Sequence, residues 1–453
     1  MNIEKNVLFE ETKPAKALAV MALPTILSQM ITLLYNLADT WFIGRTGDPC
    51  MIGACSLAAT VYMAVVALAN VFGVGGGSLM VRLMGEKKPE DARRVASYSV
   101  AMAAICALVF SLLVLLCLDS LLRLLGASEN TLAYGRQYLL ATTVIGGVPT
   151  VLAMCMPQLL RNAGYAREAG LGVGLGSLLN VLLDPLFMFL LLPRGQEVLG
   201  AGIATLLSNV CSLIYIVFVY HRLREKTVLA LPRRLERLSG EQLRSLYSVG
   251  LPAAFSIFLF DLVTIVVNRL TAAYGDIPLA AMGIVLKLER IPINISLGVC
   301  LGMVPLIAYN YGSGNRKRMM KFFSLTRVVI LSFACVCAIF FWFFPRPLVS
   351  AFIADEATVV QGEAFLRGRC LALPFMMIGY HVTNYMNAVD KGKISLLMAV
   401  VRHVVLLIPL MLLMNALWAM TGLIWSQLAA DLLNAVFVLL LYAGLEKRER
   451  KKE

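Results

Sequence analysis

The sequence predicts an all-α membrane protein, with twelve transmembrane helices in two pseudo-symmetric six-helix bundles. Composition is the first reason: of 453 residues, 59% are hydrophobic and 15% charged, at a mean hydropathy of +0.80. Folded in water, such a chain would expose far more apolar surface than a soluble protein tolerates. The second reason is a set of about twelve apolar stretches that reach the roughly 20 residues needed to cross the hydrocarbon core. The third is an internal repeat. Met21-Ala22-Leu23-Pro24 aligns with Val249-Gly250-Leu251-Pro252, Gly47-Asp48 with Gly275-Asp276, and Gly85 with Gly312. Further on, Pro149 falls on Pro374, Arg161-Asn162-Ala163 on Met386-Asn387-Ala388, and Pro185 on Pro409. The offset drifts from roughly 228 to roughly 224 residues, as expected of two diverged copies of one helix bundle.

The stretches lie at about 17–44, 51–81, 95–118, 132–160, 169–192, 199–220, 245–272, 279–309, 319–343, 359–388, 394–414 and 419–443. The first carries Gln29, Asn36 and Asp39 in its body and is too long for a cleaved signal peptide, so it stays as a helix. Pro24 sits in its interior. The second holds Gly75-Gly76-Gly77, which suits close helix packing. Asn180 and Asp184 belong to the fifth and Thr205 to the sixth. A polar connection then divides the chain into residues 1–222, an N-terminal lobe of helices 1–6, a linker at 223–244, and residues 245–453, a C-terminal lobe of helices 7–12 with a basic tail. Barrel strands are excluded, because none of these runs alternates in ten-residue segments.

Charge placement sets the orientation. Roughly 28 of the 40 basic residues, among them Arg161, Arg233, Arg234, Lys451 and Lys452, flank the termini, the linker and the even-numbered turns, against about seven, Arg369 among them, on the opposite side. Both termini and the linker are therefore expected in the cytoplasm, in a multi-pass protein of the cytoplasmic (inner) membrane. The net charge of +13 is explained by topology and anionic lipid, with no nucleic-acid partner. Ten cysteines, mostly within apolar spans, show no zinc or disulfide spacing, and three histidines make a metal centre improbable. No phosphate-binding Gly-x-x-x-x-Gly-Lys-Ser/Thr loop or nucleophile elbow is present, so neither ATP hydrolysis nor enzyme chemistry is expected. An ion gradient is the remaining common driver, and no cofactor is called for.

Polar groups inside the bilayer are costly and rarely incidental. Asp39 lies about one and a half turns from the end of the first helix, with Asn36 on its face at i,i+3. Asp184 follows Asn180 at i,i+4, and Thr205 falls at a similar depth. These side chains can converge at one level of the N-terminal lobe, where a carboxylate pair would hold a proton or Na⁺. The plainer alternative is that Asp39 caps a helix end and Asp184 bonds locally before Pro185. Their repeat mates, Val267 and Ile408, are apolar, so the site is expected in one lobe only. In the other lobe Asp261, Lys287, Glu289, Arg290, Arg402, His403 and Asp431 lie within spans. Pairing of Asp261 with Arg290 or Lys287, and of Asp431 with Arg402, would fix that lobe; direct substrate contact is the other reading. Tyr35, Asn36, Met154, Met156 and Gln158 are expected to line the substrate cavity.

Taken together, the chain resembles the multidrug and toxic compound extrusion (MATE) family over essentially its whole length. The marks are Pro24 and Asp39 in the first helix, Gly85 and Tyr311-Gly312-x-Gly314-Asn315 after the second and eighth, and Asn180 with Asp184 in the fifth. The resemblance implies that residues matching Asp39, Asn180, Asp184 and Thr205 form a cation site, and that Pro24 marks a bend in the first helix. It also implies efflux of drug-like, often cationic, small molecules in exchange for H⁺ or Na⁺ by a monomer using alternating access. A lipid-linked precursor flippase of the same wider superfamily is the main alternative, kept open by Arg402, Lys287 and Arg290. A membrane-embedded enzyme or receptor is the third reading.

Overall fold

A computed structural model describes residues 3–231 and 237–450. Arg233, Arg234, Lys451 and Lys452, counted among the basic flanks, lie outside the described residues. Helices make up the described chain, with no strand among the described residues. The N-terminal lobe contains spans Pro14–Gly44, Pro49–Gly85, Pro89–Leu116, Glu129–Ile145 with Gly147–Asn162, Ala166–Leu191 and Glu197–Leu223. The C-terminal lobe follows with Gly240–Ala272, Asp276–Gly312, Arg316–Phe343, Glu356–Cys370 with Leu373–Ala388, 392–417 and 420–450. These are called the first to twelfth spans.

Among the described residues nine helices are long and apolar enough to cross a membrane, and the bent fourth span makes ten. The helix Gly392–Lys447 holds two spans, because Trp418 and Ala419 leave helical geometry with φ of −129° and 52°. The tenth span completes the twelve; its first half carries Glu356, Glu363, Arg367 and Arg369, which lowers its hydropathy. Three short helices were not foreseen: Ile3–Glu10, and Leu118–Leu124 and Pro345–Ser350, which precede the fourth and tenth spans. The last two begin 227 residues apart, so they belong to the repeat.

Span ends follow local chemistry. Proline opens the first three spans, where its missing N–H has no helical partner to lose. The Asp48 carboxylate accepts from the Cys50 N–H at 2.8 Å, and Ser239 with Gln242 forms a reciprocal capping box that starts the seventh span. Leucines such as Leu108, Leu112 and Leu116 on the third span are exposed, an apolar girdle fit for lipid.

The lobes meet through the first, second, seventh and eighth spans. The first span starts, the sixth ends, the seventh starts and the twelfth ends at one end of the bundle, called the linker end below. Contact there is backbone to backbone: a Cβ at Gly85 would collide with the Tyr309 carbonyl, and one at Gly312 with the Arg82 carbonyl. Glycine is required because the helices approach closer than any side chain allows. Polar contacts reinforce the closure. Arg82 Nη1 lies 2.7 Å from Asp390 Oδ1, while Ser245 accepts from Arg82 at 2.7 Å and donates to Asp390 at 2.9 Å. The Ser78 hydroxyl donates to the Asn387 carbonyl at 2.7 Å. The short N-terminal helix docks underneath, where the Tyr309 hydroxyl donates to Glu10 at 2.6 Å and Arg318 donates to the Phe9 and Thr12 carbonyls.

Candidate functional site

Three spans build a polar pocket in the N-terminal lobe. Asp184 is wholly buried at the last turn before Pro185, and beyond that proline the fifth span widens into a π-helical segment, Leu186–Leu191. Proline supplies no N–H to the carbonyl four residues back, which loosens the turn beside the carboxylate. The Asn180 amide, set by its partners, donates to Asp184 Oδ2 at 2.8 Å and accepts from the Thr205 hydroxyl and N–H at 3.2 Å each. Asp39, from the first span, is close enough for its charge to act on Asp184. Each carboxylate keeps one buried oxygen, Oδ1, with no hydrogen-bond partner. Such oxygens in a low-dielectric setting call for a proton or a small cation. The donor set is carboxylate, amide and hydroxyl oxygen, which suits H⁺ or Na⁺ and not a thiophilic metal.

Tyr35, Tyr62 and Tyr138 surround Asp39 closely enough to sense its charge. Sequence reasoning missed Tyr62 and Tyr138. Their only signal was a tyrosine amid an apolar run.

Two cavities lie between the lobes. One, of about 360 Å³, faces the N-terminal lobe and is lined by Tyr35, Met154, Gln158, Asn180 and Thr205 among others. The second, of about 320 Å³, faces the C-terminal lobe and is lined by Gln158, Phe260, Arg290, Arg402 and His403 among others. Asn70, Val74, Gln158, Arg161 and Leu301 border both.

Several expected cavity residues lie elsewhere. Met156 is 1% exposed and packs in the core, because a residue two positions from Met154 points about 200° away on a helix. Asn36 is exposed and lines neither cavity, being one residue and about 100° past Tyr35. Asp261 and Lys287 also lie outside both linings, and Glu289 borders only a void of about 60 Å³.

Three of the intramembrane charges of the C-terminal lobe, Glu289, Arg402 and Asp431, are paired. Arg402 Nε lies 2.7 Å from Asp431 Oδ1, and Gln427 donates to Asp431 Oδ2 at 2.6 Å. Glu289 takes a two-pronged contact from Arg369, at 2.8 Å to each oxygen. Arg369 was counted among the surface cations from sequence; it is in fact 5% exposed. Asp261 forms no ion pair with Arg290 or Lys287 among the described residues, and its Oδ2 is buried without a partner. Arg290 instead lies over the Phe260 ring, 4.7 Å from its centroid.

Two helix bundles around an interlobe cavity, with an acid pocket in one bundle, define a membrane-transporter type of architecture. The MatE family model matches residues 24–186 and again 252–413, one copy per lobe. Multidrug export protein MepA of Staphylococcus aureus (strain MRSA252) is 30% identical over 451 residues, covering 99% of this chain and 98% of that protein. A MepA of Staphylococcus saprophyticus is 28% identical over 448 residues. Among solved structures, a MATE in complex with MaL6 superposes with a TM-score of 0.90 at 23% identity, covering 98% of this chain and 100% of the other. An outward-facing multidrug resistance MATE transporter gives 0.88 at 24% identity, covering 97% of each. The chain belongs to the multidrug and toxic compound extrusion family, a family of membrane transporters and not of enzymes.

Proposed function

We propose that this protein exports drug-like organic compounds across the cytoplasmic membrane in exchange for H⁺ or Na⁺, by rocking of its two lobes as a monomer with cytoplasmic termini. The observation that carries this reading is the Asp39–Asp184 pair, whose two buried, partnerless oxygens sit beside the cavity residues Tyr35, Asn180 and Thr205. Asp39, Asn180, Asp184 and Thr205 would hold the ion. Its arrival neutralises charge in the pocket and changes how the first span packs on its lobe. Linkage requires that substrate and ion each weaken the other if they are to be exchanged. Closure of the linker end by glycine contacts and the Arg82–Asp390 pair corresponds to access from the far end.

The test is efflux of a fluorescent dye from proteoliposomes under an imposed pH gradient or an imposed Na⁺ gradient. One gradient should accelerate dye movement. Equal rates under both gradients and under neither would overturn the antiport reading. Arg161, Arg290 and Arg402 along the cavity favour a second reading, translocation of a lipid-linked precursor. Flipping of such a lipid in the same vesicles, independent of either gradient, would establish it.

A further inference from the structure

We infer that the interlobe cavity is an anion-recognition site centred on the Arg161 guanidinium. It takes a small organic compound bearing a carboxylate, sulfonate or phosphate on an apolar body. The inference names the substrate class of the export reading above and therefore rests on it.

No aspartate or glutamate lines either cavity, whereas Arg161, Arg290 and Arg402 do. Arg161 borders both cavities and is 8% exposed, yet among the described residues its side chain makes no hydrogen bond or ion pair, and its Nε is buried without a partner. Folded proteins rarely leave a buried guanidinium unpaired, because the desolvated charge is costly. This chain follows that rule elsewhere, with Arg369 on Glu289 and Arg402 on Asp431. Arg161 ends the fourth span, so the helix dipole there offsets part of its charge but supplies no acceptor in the cavity.

The missing acceptor is thus expected from a ligand. A guanidinium presents a planar fork that matches an oxyanion in two-pronged fashion. The cavity wall is mixed: Asn70, Gln158 and Asn162 supply amide dipoles, while Phe260, Leu301 and Val304 supply an apolar face. Arg402 is neutralised from behind by the fully buried Asp431, which leaves Arg161 and Arg290 as the cations available to a ligand. The acid pair lines neither cavity. Ion and anionic substrate then occupy separate places, and exchange between them runs through lobe packing, not through competition for one carboxylate.

The probes are three forms of one dye: 7-diethylaminocoumarin-3-carboxylate, its neutral amide and its trimethylammonium derivative. Binding is measured by fluorescence on the detergent-solubilised full chain, with no gradient. The carboxylate should bind at least tenfold more tightly than the cationic form. Arg161→Gln should remove that preference, and Arg161→Lys should keep most of it. Since Arg161 has no partner to strand, both variants should fold, which size-exclusion profiles and dye-independent thermal unfolding check. Equal or tighter binding of the cationic form by the parent, or an unchanged preference in Arg161→Gln, would overturn the inference. Competition with benzoate and with farnesyl phosphate separates a soluble anion from a lipid headgroup; tenfold tighter competition by either supports an oxyanion site and identifies its source, while competition by neither overturns it. Anion-selective binding without gradient-driven efflux would leave this site standing and sink only the antiport reading.

Discussion

The two lobes repeat one another in sequence but treat their fully buried aspartates in opposite ways, Asp184 unclamped and Asp431 held by Arg402. Asp261 of the C-terminal lobe, like Asp39, is half-buried with one unpartnered oxygen. In the N-terminal lobe, Asp39 and Asp184 each retain an oxygen with no protein donor, and no arginine or lysine among the described residues pairs with them. In the C-terminal lobe, Glu289 and Asp431 are clamped by Arg369 and Arg402 at hydrogen-bond distance. A clamped carboxylate has little reason to change state, since removing its charge would strand the arginine. An unclamped pair of like charges is the opposite case, and it is this pair that the proposed function has take up a proton or cation. Duplication supplied two equivalent frames, and side-chain pairing made one a candidate for coupling and the other a fixed support.

The largest expected effect follows directly. Asp39→Asn or Asp184→Asn should lower gradient-driven efflux by about 100-fold, the upper end of what a coupling free energy transmits, while thermal stability stays near the parent's. Asp431→Asn should do the reverse. It strands Arg402, 6% exposed, and should cost about 3–5 kcal/mol, read as a drop in apparent Tm and yield. Replacing both partners, as in Arg402→Met with Asp431→Leu, should recover much of the loss. If Asp431→Asn folds normally and fails only in transport, the contrast between lobes is wrong.

Spans, repeat and acid pair were legible because each leaves a one-dimensional trace: apolar run length, a fixed offset, and a carboxylate where lipid forbids one. Pairing across helices leaves none. Glu289 and Arg369 are 80 residues apart, and Arg369 sits in a helix half rich in charge, so sequence assigned it to the surface. Helix rotation was also hidden, and for that reason Met154 lines the cavity and Met156 does not. Arg161 was read as a flanking cation, because position near a span end says nothing about whether an arginine turns toward water or into the space between lobes.

A smaller effect is expected at the Arg82–Asp390 contact, which joins the lobes at their linker end. Asp390 is 38% exposed, so screening limits the pair to about 1 kcal/mol, though Arg82 at 5% exposed adds a desolvation cost when stranded. Asp390→Asn should therefore shift the balance between closed and open linker ends several-fold without unfolding. Spin labels at Glu90→Cys and Lys317→Cys, both exposed, would report this in a background lacking the native cysteines. The variant should show a longer-distance population that the parent lacks. An unchanged distance distribution would mean that backbone packing at Gly85 and Gly312 alone sets the closure.

The smallest effect on binding and the most specific concerns Pro24, which lies about four turns from Asp39 on the same helix. Proline denies the Val20 carbonyl its N–H, and Thr25, Ser28 and Thr32 turn their hydroxyls back onto the helix backbone at 2.8–2.9 Å. Both features soften the first span. Gly170 of the fifth span fits directly against this point, where a Cβ would lie 2.8 Å from the Pro24 carbonyl oxygen. The helix that carries Asp184 thus rests on the proline of the helix that carries Asp39, and bending at Pro24 offers a route from the ion pocket to the cavity. Should protonation of the pocket disfavour substrate, affinity must rise with pH through the pocket's titration and level off above it. An uncharged dye removes direct charge effects from that measurement. Pro24→Ala should bind the dye within about threefold of the parent at high pH, well under one decade or 1.4 kcal/mol, and should flatten the rise. A variant that keeps the parent's full pH dependence would show that the pocket reaches the cavity by another path, with the Asn180–Thr205 contact between the fifth and sixth spans the next place to look.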